Sequence, residues 1–179
     1  MPDVMKQAKQ QTNNNEVNLL LNAVNEAVEM LNNYRINEGL ILMTDFQKRT
    51  ENIKVLSAML EKFEKQRIDT IKTKIYSNLL SHEAENKIDK NRFEQELIYY
   101  LEKIDFTEEK TRLLQHCNYF VDTLNEAIAN GKKLSFIVQE MSREINTLGA
   151  KANDFDIQKI VVEMKDELEK IKEQLANAL

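Results

Sequence analysis

The sequence predicts an all-α protein. Three observations lead there: apolar residues recur at three- and four-residue spacing along most of the chain, no segment alternates as a half-buried strand does, and turn-forming residues are scarce. With 3 Gly, 1 Pro and no Trp in 179 residues, a turn-rich all-β fold is excluded. The expected architecture is a long antiparallel helical hairpin or arm followed by a C-terminal helical bundle.

Residues 1–15 are Gln- and Asn-rich, lack an apolar period and read as a flexible leader. Val17, Leu20, Leu21, Val24, Val28, Leu31 and Tyr34 then predict a first helix with one buried stripe. Gly39 marks a C-cap or bend, or is carried within a continuous helix at modest cost. No glycine or proline follows until Gly131. Leu42, Phe46, Ile53, Leu56, Leu60 and Phe63 keep an approximately heptad seam, which then shifts to Ile68, Ile71, Ile75 and Leu79 as a stutter would. A helix unbroken to Leu80, about forty residues long, makes a rod of about 60 Å. That exceeds one compact core, so residues 16–90 are assigned to the hairpin or arm.

The polar stretch Ser81 to Lys90 reads as a loop, with Asp89 or Asn91 capping a helix that carries Phe93, Leu97, Tyr100, Leu101 and Ile104. Asp105-Phe-Thr-Glu-Glu109 offers a cap and carboxylates for the next helix start. Leu113, Cys117, Phe120, Val121, Leu124 and Ile128 form that helix's apolar stripe, and Asn130-Gly131 supplies a stop. Leu134, Ile137, Val138, Met141, Ile145 and Leu148 follow, with a second stop at Gly149. The most regular pattern is the last: Ile157, Val161, Met164, Leu168, Ile171, Leu175 and Ala178, with Asn153 or Asp154 as cap. Residues 91–179 are therefore assigned to a C-terminal helical domain.

Lys and Arg number 25 against 30 Asp and Glu, a formal charge of −5. Such a chain lacks the cationic surplus that a general grip on nucleic acid requires, so any polyanion site must be local, metal-assisted or completed by other subunits. Cys117 is the single cysteine and cannot form an internal disulfide; a reducing, cytoplasmic setting is expected. The apolar runs are far shorter than a membrane span.

Helical projection sets Glu140, Arg143 and Thr147 opposite the apolar stripe of their helix, with Glu144 at the flank. Glu109, Arg112 and His116 share one edge of the preceding helix, with Glu108 further round. From spacing alone the default is a solvated, ion-paired face. The sharper reading is a site between helices, in which Glu108, Glu109 or Glu140 converge with His116 on a metal or a phosphate, since carboxylates bind hard cations and imidazole carries protons near neutral pH. Glu109 and His116 are two turns apart, about 10 Å, so they need help from another segment. Several motifs fail: His82-Glu83 puts Asn86 where HExxH needs its second His, both histidines have Leu rather than Glu three residues before them, Cys117 has no CxxC partner, and no GxxxxGK[ST] loop cradles a nucleotide.

The run Gln139-Glu140-Met141-x-Arg143-Glu144-x-Asn146-Thr147-x-Gly149-x-Lys151-x-Asn153-Asp154 resembles the C-terminal region of the bacterial YicC/YloC family. Upstream, Asp105, Glu108, Glu109, Arg112 and His116 stand at matching positions, as do Arg35, Glu38, Gly39 and Asp45 still earlier. Departures are Lys132 where arginine is common, Ser142 for asparagine and Ala150 for serine. The resemblance implies an endoribonuclease dependent on manganese or magnesium, assembled as a homo-oligomer, a hexamer in complete members, with no nucleotide cofactor and no membrane partner. It also implies a missing N-terminal domain, so the chain is expected to be a fragment whose own activity is open. In this reading His116 shuttles a proton, Glu108, Glu109 and Glu140 hold metal or water, and Arg143, Lys151 and Lys132 offset RNA phosphate. The alternative is a noncatalytic helical oligomerisation module.

Overall fold

A computed structural model describes residues 13–82, 90–126, 130–152 and 154–178. They form five helices: α1 (Asn14–His82), α2 (Lys90–Ile104), α3 (Thr107–Leu124), α4 (Gly131–Ala152) and α5 (Phe155–Ala178). Among the described residues there is no strand, and no helix is long and apolar enough to cross a membrane. The all-α expectation holds, and of the hairpin or arm expected the structure shows a single long helix, Asn14–His82. Asp89 lies outside the described residues, and so do Asn153 and most of the expected loop after Ser81.

The chain divides into two compact units, Met1–Leu42 and Met43–Leu179, with the division inside α1. In the first unit the described residues are one helix only, so its apolar stripe has nothing within the unit to pack on. Leu20, Val24, Leu31 and Tyr34 are all more than half exposed, which corrects the expectation of a buried stripe. Gly39 does not cap this helix: it is carried within α1, which continues through it, and a Cβ there would meet nothing within 4 Å.

The second unit holds the core. On its stretch of α1, Phe46, Thr50, Ile53, Ser57, Leu60 and Arg67 are buried, a continuous four-and-three spacing that half-buried Glu64 completes. Beyond Arg67 the half-buried residues are Ile68, Ile71 and Ile75, the set to which the spacing shifts the seam. Counting only apolar residues hid the seam up to Arg67, because four of its members, Thr50, Ser57, Glu64 and Arg67, are polar. Thr50 resolves its burial by donating its hydroxyl to the Phe46 carbonyl at 2.7 Å. Phe46 meets Phe120 of α3 edge to face, with centroids 6.1 Å apart.

α4 packs against both α3 and α5. Leu113, Cys117 and Phe120 form the buried stripe of α3, and Ile157, Val161, Met164, Leu168, Ile171 and Leu175 that of α5, as their spacing predicts. Each fully buried Leu, Ile, Phe or Met contributes about 1.5–3 kcal/mol of burial free energy, so these stripes outweigh any single polar contact in the bundle.

Two expected stops behave differently. Gly131 opens α4, with the Asn130 carbonyl accepting from the Leu134 amide at 2.9 Å. Gly149 lies within α4, which runs on to Ala152. Its role is close approach: a Cβ there would stand 3.0 Å from Cγ1 of Val161 on α5. The expected cap at Asp154 is present, its Oδ1 accepting from the amides of Asp156 and Ile157 at 3.0 Å each. Asp105 likewise accepts from the Thr107 amide at 2.9 Å and hydroxyl at 2.6 Å, and these bonds to Thr107 hold its carboxyl below the usual range.

One end of the bundle is tied by Arg67. Its guanidinium donates to the Ala152 carbonyl at 2.7 Å and to the Ile104 carbonyl at 2.6 Å. Those residues end α4 and α2, so one cation satisfies carbonyls at the negative ends of two helix dipoles. It also lies 4.9 Å from the Phe106 ring centroid. Burial lowers the pKa of Arg67, against the opposing fields of Glu64, Asp154 and Asp105.

Candidate functional site

Two cross-helix contacts fix the register of α3 against α4. Glu109 Oε1 and Lys151 Nζ are 2.7 Å apart. Toward the other end, Lys133 Nζ is 2.7 Å from Glu126 Oε1 beyond the α3 terminus and 4.9 Å from the Tyr119 ring centroid. Glu109 precedes Glu126 on one side while Lys151 follows Lys133 on the other, so the two helices are antiparallel.

His116 lies seven residues after Glu109, and Glu144 lies seven residues before Lys151. Both are two helical turns from the same rung, so they stand level on facing edges. His116 is half-buried, and Glu144 is 9% exposed. This edge therefore carries a carboxylate and an imidazole between two ion-paired rungs, the pairing that general acid–base chemistry uses. Sequence reading set Glu144 only at the flank of the apolar stripe. Its burial was the missing signal, since periodicity alone does not separate a flank that meets a neighbour from one that meets water.

The structure brings Glu109 and Lys151 together, joining an expected metal ligand to an expected phosphate contact. The other expected residues pair within their own helices. Glu108 is bonded to Arg112, and Glu140 Oε1 is 2.7 Å from Arg143 Nη1. Lys132 is exposed. His116 makes no hydrogen bond or ion pair among the described residues. Cys117 is buried, and burial pushes its thiol pKa up to about 12, in keeping with a packing role.

Glu109 Oε2 is buried with no hydrogen-bond partner in the protein, the kind of orphan oxygen a cation would satisfy. Its other oxygen already holds an ammonium, and among the described residues no three His, Cys, Asp or Glu side chains gather to hold a metal. Glu108, Glu109 and Glu140 therefore do not form a metal cage within one chain.

Residues 60–178 match the family described as "Endoribonuclease YicC-like, C-terminal". A Clostridioides difficile protein named "Probable endoribonuclease YicC" is 34% identical over 180 residues, covering 98% of this chain and 61% of that protein. A Haemophilus influenzae protein of the same name is 39% identical over 95 residues, covering 53% of this chain and 33% of its own length. The chain thus spans less than two thirds of these relatives.

Proposed function

Since this chain belongs to the YicC-like endoribonuclease C-terminal family, we propose that it serves endonucleolytic cleavage of RNA, with the reacting phosphodiester held at the α3–α4 edge. What supports this is the register that sets half-buried His116 level with buried Glu144, in a chain whose relatives are named probable endoribonucleases. Neutral His116 takes the proton of the attacking oxygen as its bond to phosphorus forms. The resulting imidazolium returns that proton to the oxygen whose bond to phosphorus breaks. Glu144, level with the imidazole on the facing helix, is the proposed positioning residue for it.

Arg143, Lys151 and Lys132 are the proposed contacts to RNA phosphate. Dependence on manganese or magnesium stays within the proposal, but with at least one ligand from outside the described residues, because the three acidic candidates do not assemble here. A cytoplasmic setting also remains proposed.

The test is cleavage of end-labelled single-stranded RNA by this chain and by the longer Clostridioides difficile relative, with and without chelator. His116→Ala should slow cleavage by about 10²-fold or more, and Glu144→Gln should lower kcat with KM unchanged. Wild-type rates in His116→Ala would remove the shuttle role.

A second reading is a noncatalytic oligomerisation module. The exposed stripe of Leu20, Val24, Leu31 and Tyr34 favours it, because helices with such a seam bury it against one another. Sedimentation as a homo-oligomer without cleavage under any metal condition would select this reading.

A further inference from the structure

α4 stands apart from the other helices in its charge. It carries Lys132, Lys133, Arg143 and Lys151 against Glu140 and Glu144, a formal +2. By the same residue count α1 and α2 are balanced, while α3 and α5 are net acidic. One of its two carboxylates, Glu144, is buried, so the outer surface is more cationic than the count suggests.

Although α4 packs on α3 and α5 and also meets α2, one face remains open. Lys132, Phe136, Gln139, Arg143, Asn146 and Thr147 are all exposed there, at the three- and four-residue steps of a single helix face. Phe136 is 67% exposed. Lys132 and Arg143 flank it, eleven residues apart, about 16 Å along the axis. Glu140 is the one carboxylate beside them and is bound to Arg143. Arg143's side chain is 73% exposed, and so exposed a pair is weak enough for a phosphate to displace.

We infer that this face of α4 is a docking surface for single-stranded RNA, with Phe136 as a stacking platform and Lys132 and Arg143 as phosphate contacts. The inference rests on the RNA-cleaving reading and extends it by naming the substrate class. Stacking needs an unpaired base, which a duplex does not offer to a helix surface. The amides of Gln139 and Asn146 add donors and acceptors without the repulsion a carboxylate would bring. Lys151, paired with Glu109, serves the α3–α4 edge and not this face. Local cationic charge also explains how a chain of formal charge −5 would bind a polyanion.

The experiment is fluorescence anisotropy with a labelled oligouridine of about 12 nucleotides, set against a duplex of equal length, over a range of salt, with cleavage followed in parallel. Phe136→Ala should weaken single-strand binding at least about fivefold, and Phe136→Tyr should restore it. Lys132→Ala and Arg143→Ala should each lower the salt slope by about 0.7, whereas Lys165→Ala and Lys172→Ala on α5 should leave it unchanged. Melting curves confirm that each variant is folded. Wild-type affinity in Phe136→Ala together with Lys132→Ala/Arg143→Ala would overturn the surface, as would equal affinity for the duplex or no binding by the wild type. A change in sedimentation rather than RNA affinity on Phe136→Ala would also overturn it, by showing the face to be covered by a second copy. If the wild type and variants bind as expected but neither this chain nor its longer relative cleaves, the surface stands and the nuclease reading fails.

Discussion

Cys117 lies one residue from His116, yet the two have opposite chemistry. The cysteine points into the core and has no measurable exposure, while the histidine is half-buried at the edge. Desolvation raises the thiol pKa to about 12, so at neutral pH almost no thiolate exists to attack a reagent. Cys117 should therefore resist iodoacetamide in the folded protein and react at the rate of a free thiol once denaturant exposes it, as followed by mass spectrometry. Alkylation of the native protein at the denatured rate would contradict its burial. At this scale the sequence was legible where chemistry and burial agree, as at Phe46, Ile53 and Leu60. It was illegible where they disagree: Thr50, Ser57 and Arg67 sit in the same seam but have no place in an apolar count, and Glu144 read as a flank.

Glycines give the same contrast among the helices. Gly39 and Gly149 are both interior to helices; in the sequence Gly149 reads as a stop, and Gly39 as a C-cap, a bend or a glycine carried within a helix. The periodicity revealed where α4 and α5 bury their stripes, but not that Gly149 lies against Val161. A methyl group at 39 meets open space, whereas at 149 it must displace Val161, itself 1% exposed. Helix propensity favours Ala over Gly by about 1 kcal/mol, and overpacking costs about 1–3 kcal/mol. Gly39→Ala should raise helicity by circular dichroism. Gly149→Ala should destabilise by about 1 kcal/mol in denaturant melts, and should become neutral or stabilising when Val161 is also replaced by Ala. Additive effects of the two substitutions would show that the close approach carries no energy.

At the scale of the whole molecule, the all-α class follows from the spacing of apolar residues, and the bundle from the C-terminal stripes. The way the bundle's end is closed does not follow from them. Nothing in the residues around Arg67 announces that the ends of α2 and α4 meet at its guanidinium, because that fact belongs to three segments at once. Arg67→Met keeps the apolar stem but leaves both carbonyls without their donor, and should cost about 2–4 kcal/mol in denaturant melts. Arg67→Lys should recover less than half of that, since one ammonium does not reproduce the planar fork that spans two acceptors. Full stability in Arg67→Met would show that the carbonyls find other donors. With a single side chain holding both termini, fraying is not a private event for either helix: amides in the last turns of α2 and α4 share one opening, and whatever loosens one end loosens the other.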